Sequence, residues 1–147
     1  MTRKEATAEI LVKKKAAKLS WEDIATAVGA HPIWVTSVLL GQNSMAPEMA
    51  AKTQKKLGLS DEATALLTEC PMKGALDKDV VADPLIYRFH EITQVYGTSI
   101  KEIIHEKFGD GIMSAIDFTM DIARQADPHG DRVVITMNGK FLPYKKW

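Results

Sequence analysis

The sequence predicts an α+β protein, a bundle of short helices followed by a smaller region of helix and strand. Three observations carry this. From residue 2 to about residue 70 the apolar residues recur at helical spacing, and Gly and Pro cut the pattern into short lengths. At Phe118, Met120 and Ile122 the pattern becomes alternation with Asp117, Thr119 and Asp121, the period of a strand. Near the C-terminus Asn138-Gly139 stands between two β-rich runs, and that dipeptide favours a hairpin turn because both residues tolerate positive φ.

The first helix is expected over 2–18, with Ala6, Ile10 and Ala17 set among Lys and Glu. Ser20 is an N-cap for the second, and Glu22 and Asp23 follow in the first turn, where the helix dipole favours acids. Gly29 ends it. Pro32 suits the first turn of a third helix, which stops at Gly41. Helices over Pro47–Leu57 and 60–69 complete a bundle over residues 1–70. Residues 71–82 carry Pro, Gly and alternating charge without periodicity and read as a linker.

A third region, 83–147, opens with Asp83-Pro84, a cap followed by proline at the first helical position. Leu85, Phe89, Ile92 and Tyr96 form one apolar stripe on this helix, and Gly97 ends it. Thr98 begins another helix, which closes near Phe108-Gly109. About three strands follow: one around 117–122, then 132–137 and 140–144 folded about Asn138-Gly139. So small a sheet has open edges and little core, and it is expected to pair with another subunit.

Composition narrows the function. Of 147 residues, 46% are apolar, which suits a globular chain rather than a disordered one. Lys plus Arg and Asp plus Glu number 19 each, so no global field attracts nucleic acid or an acidic membrane. The single cysteine, Cys70, excludes a disulfide framework. A polar N-terminus and no long apolar run point to a cytoplasmic protein outside the membrane.

Three classes of function compete. Ser20-Trp-Glu-Asp-Ile-Ala-Thr-Ala-Val-Gly29 followed by 31–41 has the shape of a helix-turn-helix, with Ala25 at the crossing and Val35 and Leu39 facing inward. A DNA-binding regulator is therefore the alternative reading. Its reading helix, Pro32-Ile-Trp-Val-Thr-Ser-Val-Leu-Leu40, offers only Thr36 and Ser37 to base edges and sets Ile33, Trp34 and Val38 against phosphate. Lys13, Lys14, Lys15 and Lys18 fit a solvated helix face. A metal enzyme finds little support. His90-Glu91 and His105-Glu106 start a zinc-protease motif, but Gln94 and Gly109 stand where its second histidine belongs, and His31 and His129 add no ligand spacing. Cys70 precedes a proline with no histidine nearby and reads as a buried, inert thiol. Phe108-Gly-Asp-Gly111 lacks the spacing and lysine of a phosphate loop. The third class acts on small anions. Arg88 and Glu91, three apart, are neighbours on one helix face at the border of the apolar stripe. Spacing alone leaves them an ordinary surface ion pair.

Resemblance takes the matter further. Asp83-Pro-Leu-Ile-Tyr-Arg-Phe-His-Glu-Ile-Thr-Gln-Val-Tyr-Gly97 closely resembles the signature segment of cyanases, enzymes that decompose cyanate. So does His105-Glu-Lys-Phe-Gly-Asp-Gly-Ile-Met-Ser-Ala-Ile-Asp-Phe118. Leu39-Leu-Gly-Gln42 and Val134-Ile-Thr-Met-Asn-Gly-Lys-Phe-Leu-Pro143 fit as well, in the same order and over nearly the whole chain. The differences are conservative, such as His90 where an aromatic is common. The resemblance implies a lambda-repressor-like helix-turn-helix bundle not used on DNA. It also implies a C-terminal catalytic domain that forms an intertwined dimer, with five dimers in a ring. It places the family's catalytic Arg, Glu and Ser on Arg88, Glu91 and Ser114, in sites between subunits. The implied activity is bicarbonate-dependent decomposition of cyanate to ammonia and carbon dioxide through carbamate, for detoxification and nitrogen use. No metal or organic cofactor is implied.

These residue types suit that chemistry. Cyanate and bicarbonate are both anions and must meet against their repulsion. Arg88 supplies a permanently charged fork suited to planar oxyanions. Ser114 follows Gly111, where backbone can approach closely, and its hydroxyl can donate to one anion while nearby backbone N–H groups donate to the other. Glu91 is expected either to fix the Arg88 guanidinium or to hold a proton when substrate is bound.

Overall fold

Seven helices and two strands follow one another in the computed structural model, which describes residues 1–74 and 78–147. They fall into two compact units, Met1–Ala75 and Leu76–Trp147.

The first unit holds α1 (Arg3–Ala16), α2 (Trp21–Val28), α3 (Pro32–Leu39), α4 (Pro47–Leu57) and α5 (Asp61–Leu66). Local chemistry explains their ends. Thr2 and Ser20 each build a capping box, with Glu5 and Asp23 reaching back to the cap N–H. Gly29 and Gly58 close α2 and α4 in the left-handed conformation. Apolar faces then meet in one core that includes Ile10, Ile24, Val28, Val35, Val38 and Leu39. Two polar ties cross it. The Glu9 carboxylate of α1 accepts from the Ser60 N–H and hydroxyl, both at 2.7 Å, at the start of α5. The Arg3 guanidinium donates to the carbonyls of Leu66 and Glu69 at 3.0 and 2.7 Å, satisfying the end of α5.

The third helix is a core element. Val38, which the DNA-binding reading would set against phosphate, is buried with Val35 and Leu39. Trp34 packs against the same core. Ser37 donates to the Trp34 carbonyl and accepts from the Asn43 amide, both at 2.7 Å, so one of the two polar groups that could face a base edge is already engaged.

Of the expected linker 71–82, residues 75–77 lie outside the described residues. Residues 78–82 depart from expectation by forming a short helix, α6 (Lys78–Ala82), just before the Asp83 cap. The next difference is at Gly97. No break occurs there: α7 runs as one helix of 25 residues, Pro84–Phe108. A single interior glycine costs only about 1 kcal/mol, and no proline adjoins it. Asp83 Oδ1 caps this helix by accepting from the N–H groups of Leu85 and Ile86. Among the described residues no helix is long and apolar enough to cross a membrane.

Two strands follow rather than three, β1 (Gly111–Gln125) and β2 (Arg132–Pro143), paired antiparallel. The hairpin turn is not at Asn138-Gly139. Those residues lie within β2, opposite Thr119 and Phe118. The chain reverses instead at Asp127-Pro128-His129-Gly130, where the Gly130 N–H donates to the Asp127 carbonyl at 3.0 Å and the Asp127 carboxylate accepts from the His129 N–H at 2.9 Å. Asp, Pro and Gly occupy the positions that a tight turn of this kind prefers. A turn at Asn138-Gly139 would pair only the two short runs beside it and leave β1 without a partner.

Candidate active site

Arg88 stands in the second turn of α7, and Glu91 is one turn further on. Their side chains meet as the spacing predicts: Arg88 Nη1 lies 2.8 Å from Glu91 Oε1. Both are open to solvent, at 62% and 43% exposure. The apolar stripe beside them, Leu85, Phe89, Ile92 and Tyr96, is also exposed, and α7 has no buried residue anywhere along its length.

Ser114 has a different setting. It is 6% exposed, and with Gly111 it is the only buried residue of the second unit among the described residues. The pairing of β1 with β2 is regular up to Met113↔Phe141 and resumes at Phe118↔Gly139. Residues 114–117 therefore bulge from β1 opposite the lone Lys140, and bulges of this kind re-aim side chains. Within the bulge Ser114 Oγ accepts from the N–H groups of Ile116 and Asp117 at 3.0 and 2.9 Å. This corrects one expectation. The backbone N–H groups nearest the hydroxyl are spent on Oγ itself rather than left for an anion. The result still favours donation, because an oxygen that accepts two bonds keeps its proton for a third partner.

The start of β1 is tied to the end of α7. His105 Nε2 lies 3.1 Å from the Gly111 carbonyl, His105 Nδ1 lies 3.4 Å from Asp110 Oδ1, and the Phe108 ring stacks on Phe141 at 5.3 Å. Phe108-Gly-Asp-Gly111 is thus the joint between helix and strand. These ties separate the candidate residues. Arg88 and His105 are 17 residues apart on one helix, about 25 Å along its axis. Ser114 lies beyond that helix end, on β1, and among the described residues no hydrogen bond joins it to Arg88 or Glu91. The fold therefore brings Arg88 to Glu91 and holds Ser114 by backbone groups of its own strand.

Other sequence candidates fall elsewhere. His31 caps α3, its Nδ1 accepting from the Ile33 N–H at 3.3 Å. Cys70, expected to be buried, is exposed beyond the end of α5. The apolar core closes over Leu67 and leaves Thr68, Glu69 and Cys70 outside. The bulge itself was not legible in the sequence, because the alternation that marks a strand begins only at Asp117 and residues 111–116 carry no strand pattern of their own.

Comparison with known proteins gives a consistent picture. The family model described as "Cyanate hydratase, N-terminal" matches residues 3–71, and that described as "Cyanate lyase C-terminal domain" matches residues 78–146. A cyanate hydratase of Synechococcus sp. is 55% identical over 96% of this chain and 94% of its own. One from Teredinibacter turnerae is 54% identical over the full length of both. The crystal structure of cyanase from T. urticae superposes with a TM-score of 0.83 at 40% identity, covering 94% of this chain and 96% of that one.

Proposed function

The chain belongs to the cyanate hydratase family, and from that premise we propose that it decomposes cyanate with bicarbonate at sites shared between subunits. The observation that carries the shared site is that one chain does not bring the three residues together. Arg88 and Glu91 form a ready pair on an exposed helix face, while Ser114 of the same chain is buried in the β1 bulge, bonded to Ile116 and Asp117 and to neither member of the pair. A site that uses all three draws the serine from another copy. The exposed apolar stripe of α7 supports the same reading, since a face of this size seeks a partner. In this reading the second unit pairs into intertwined dimers, five dimers form a ring, and the first unit contributes to the assembly.

The chemistry asks for positioning and charge stabilisation, not for a protein nucleophile. Arg88 holds a planar oxyanion with its fork of donors and offsets the repulsion between the two anions. Glu91 holds the guanidinium in place at 2.8 Å. Ser114 donates its hydroxyl to the second anion, its oxygen already saturated by two backbone donors. A bicarbonate oxygen attacks the cyanate carbon while the cyanate nitrogen takes a proton. The mixed anhydride loses carbon dioxide and leaves carbamate. Carbamate takes a further proton and separates into ammonia and a second carbon dioxide. No step is routed through a metal or organic cofactor. The role that follows is cytoplasmic removal of cyanate with recovery of its nitrogen.

The test is ammonia release from the assembled protein given cyanate, with and without bicarbonate. Release should require bicarbonate and be lost in Arg88→Ala. Release independent of bicarbonate, or retained in that variant, would overturn the reading.

A further inference from the structure

The bulge that holds Ser114 closes against a glycine. Gly139 pairs with Phe118 at the point where the regular ladder resumes. A Cβ built on Gly139 would overlap the main-chain carbonyl oxygen of Ser114 and lie 2.5 Å from Met113 Cγ and 3.3 Å from Met113 Sδ. The φ of Gly139 is not positive, so its backbone conformation is open to any residue. What the position requires is space, and the atom that needs it belongs to Ser114. Asn138-Gly139 thus has a use other than the turn its composition suggests.

From this contact we infer that Gly139 is a positioning residue for the reaction, acting through Ser114. Its missing side chain lets β2 close on the Ser114 carbonyl. That closure sets the peptide planes of 114–117, and the N–H groups of Ile116 and Asp117 in turn fix Ser114 Oγ. A side chain at 139 pushes the Ser114 carbonyl away, turns the bulge and swings the hydroxyl off its anion. The inference rests on the proposed donor role of Ser114, and the experiment separates the two.

The measurement is bicarbonate-dependent ammonia release by the assembled full-length protein, with kcat and KM resolved. Gly139→Ala should lower kcat about 100-fold, the scale expected when a reacting group is displaced by about 1 Å. Ser114→Ala/Gly139→Ala should be no slower than Ser114→Ala, because the glycine acts only through the hydroxyl. Met113→Ala/Gly139→Ala removes the side-chain overlap but not the carbonyl overlap, so it should recover thermal stability without recovering kcat. It also carries the test if Gly139→Ala alone fails to assemble. Wild-type kcat in Gly139→Ala overturns the inference. So do losses that multiply in the Ser114→Ala background, or a return of kcat on trimming Met113. Failure of both Gly139 variants to assemble overturns it in favour of a purely structural glycine. Wild-type protein without activity, or an undiminished Ser114→Ala, would instead remove the reading of the site on which the inference stands.

Discussion

An ion pair as open to water as Arg88–Glu91 contributes under about 1 kcal/mol to stability, because solvent screens it and two long side chains must be held still. Stability is therefore a poor reason for the pair, and positioning a good one. Glu91→Gln should shift the melting temperature little and lower kcat by tenfold or more, with a changed pH profile. Wild-type activity with unchanged affinity for both anions would remove the carboxylate from the mechanism. The spacing in sequence foretold this contact, since three residues on a helix fix two side chains on one face. Nothing comparable foretold the setting of Ser114. Its partners are backbone groups two and three residues on, brought round by a bulge that depends on the facing strand. Cys70 shows the same limit, because its exposure depends on where the core closes and not on its neighbours in sequence.

Elements were legible where their ends carry local chemistry. Ser20, Pro32, Gly58 and Asp83 each act where a cap or first-turn residue belongs, and α4 spans the expected Pro47–Leu57. The break at Gly97 and the turn at Asn138-Gly139 were not borne out, since each weak local preference yielded to a longer element built around it. The α1–α5 tie was not legible either, because Glu9 and Ser60 are far apart in sequence. Its consequence is a dependence on acid. The Ser60 N–H, and then the Ser60 hydroxyl, hold the Glu9 carboxyl below its ordinary value of 4.5. A folded pKa below the unfolded one contributes stability that is full above 4.5 and lost as the pH falls through the folded value. Glu5 and Asp23 are lowered in the same direction by Thr2 and Ser20 in their capping boxes. Glu9→Gln should melt close to wild type below that window and lower than wild type at neutral pH. Equal differences at every pH would assign the tie no proton linkage. Asp83→Ala removes the α7 cap and should cost about 1 kcal/mol, read from denaturant unfolding of the full chain.

The two units differ in how they are held. The first buries an apolar core of its own. The second exposes the stripe of α7 together with Ile116, Ile122, Val133 and Met137 of the hairpin, large apolar side chains of the kind that mark an interaction face when they lie together. The small sheet already implied a partner at the level of sequence. Which residues would meet across chains could not be read there, because that depends on the length of α7 as one unbroken helix. This length gives the most direct test of a shared site. Arg88→Ala and Ser114→Ala should each be inactive as pure assemblies. Dissociated, mixed in equal amounts and reassembled, they should regain activity. Each site then draws Arg88 from one chain and Ser114 from another, and random pairing leaves about a quarter of the sites with both intact. Sites formed within one chain would gain nothing from mixing, since every chain would still lack one of the two residues. Recovered ammonia release that rises and falls with the mixing ratio, and peaks at equal amounts, would place the serine and the arginine on different copies.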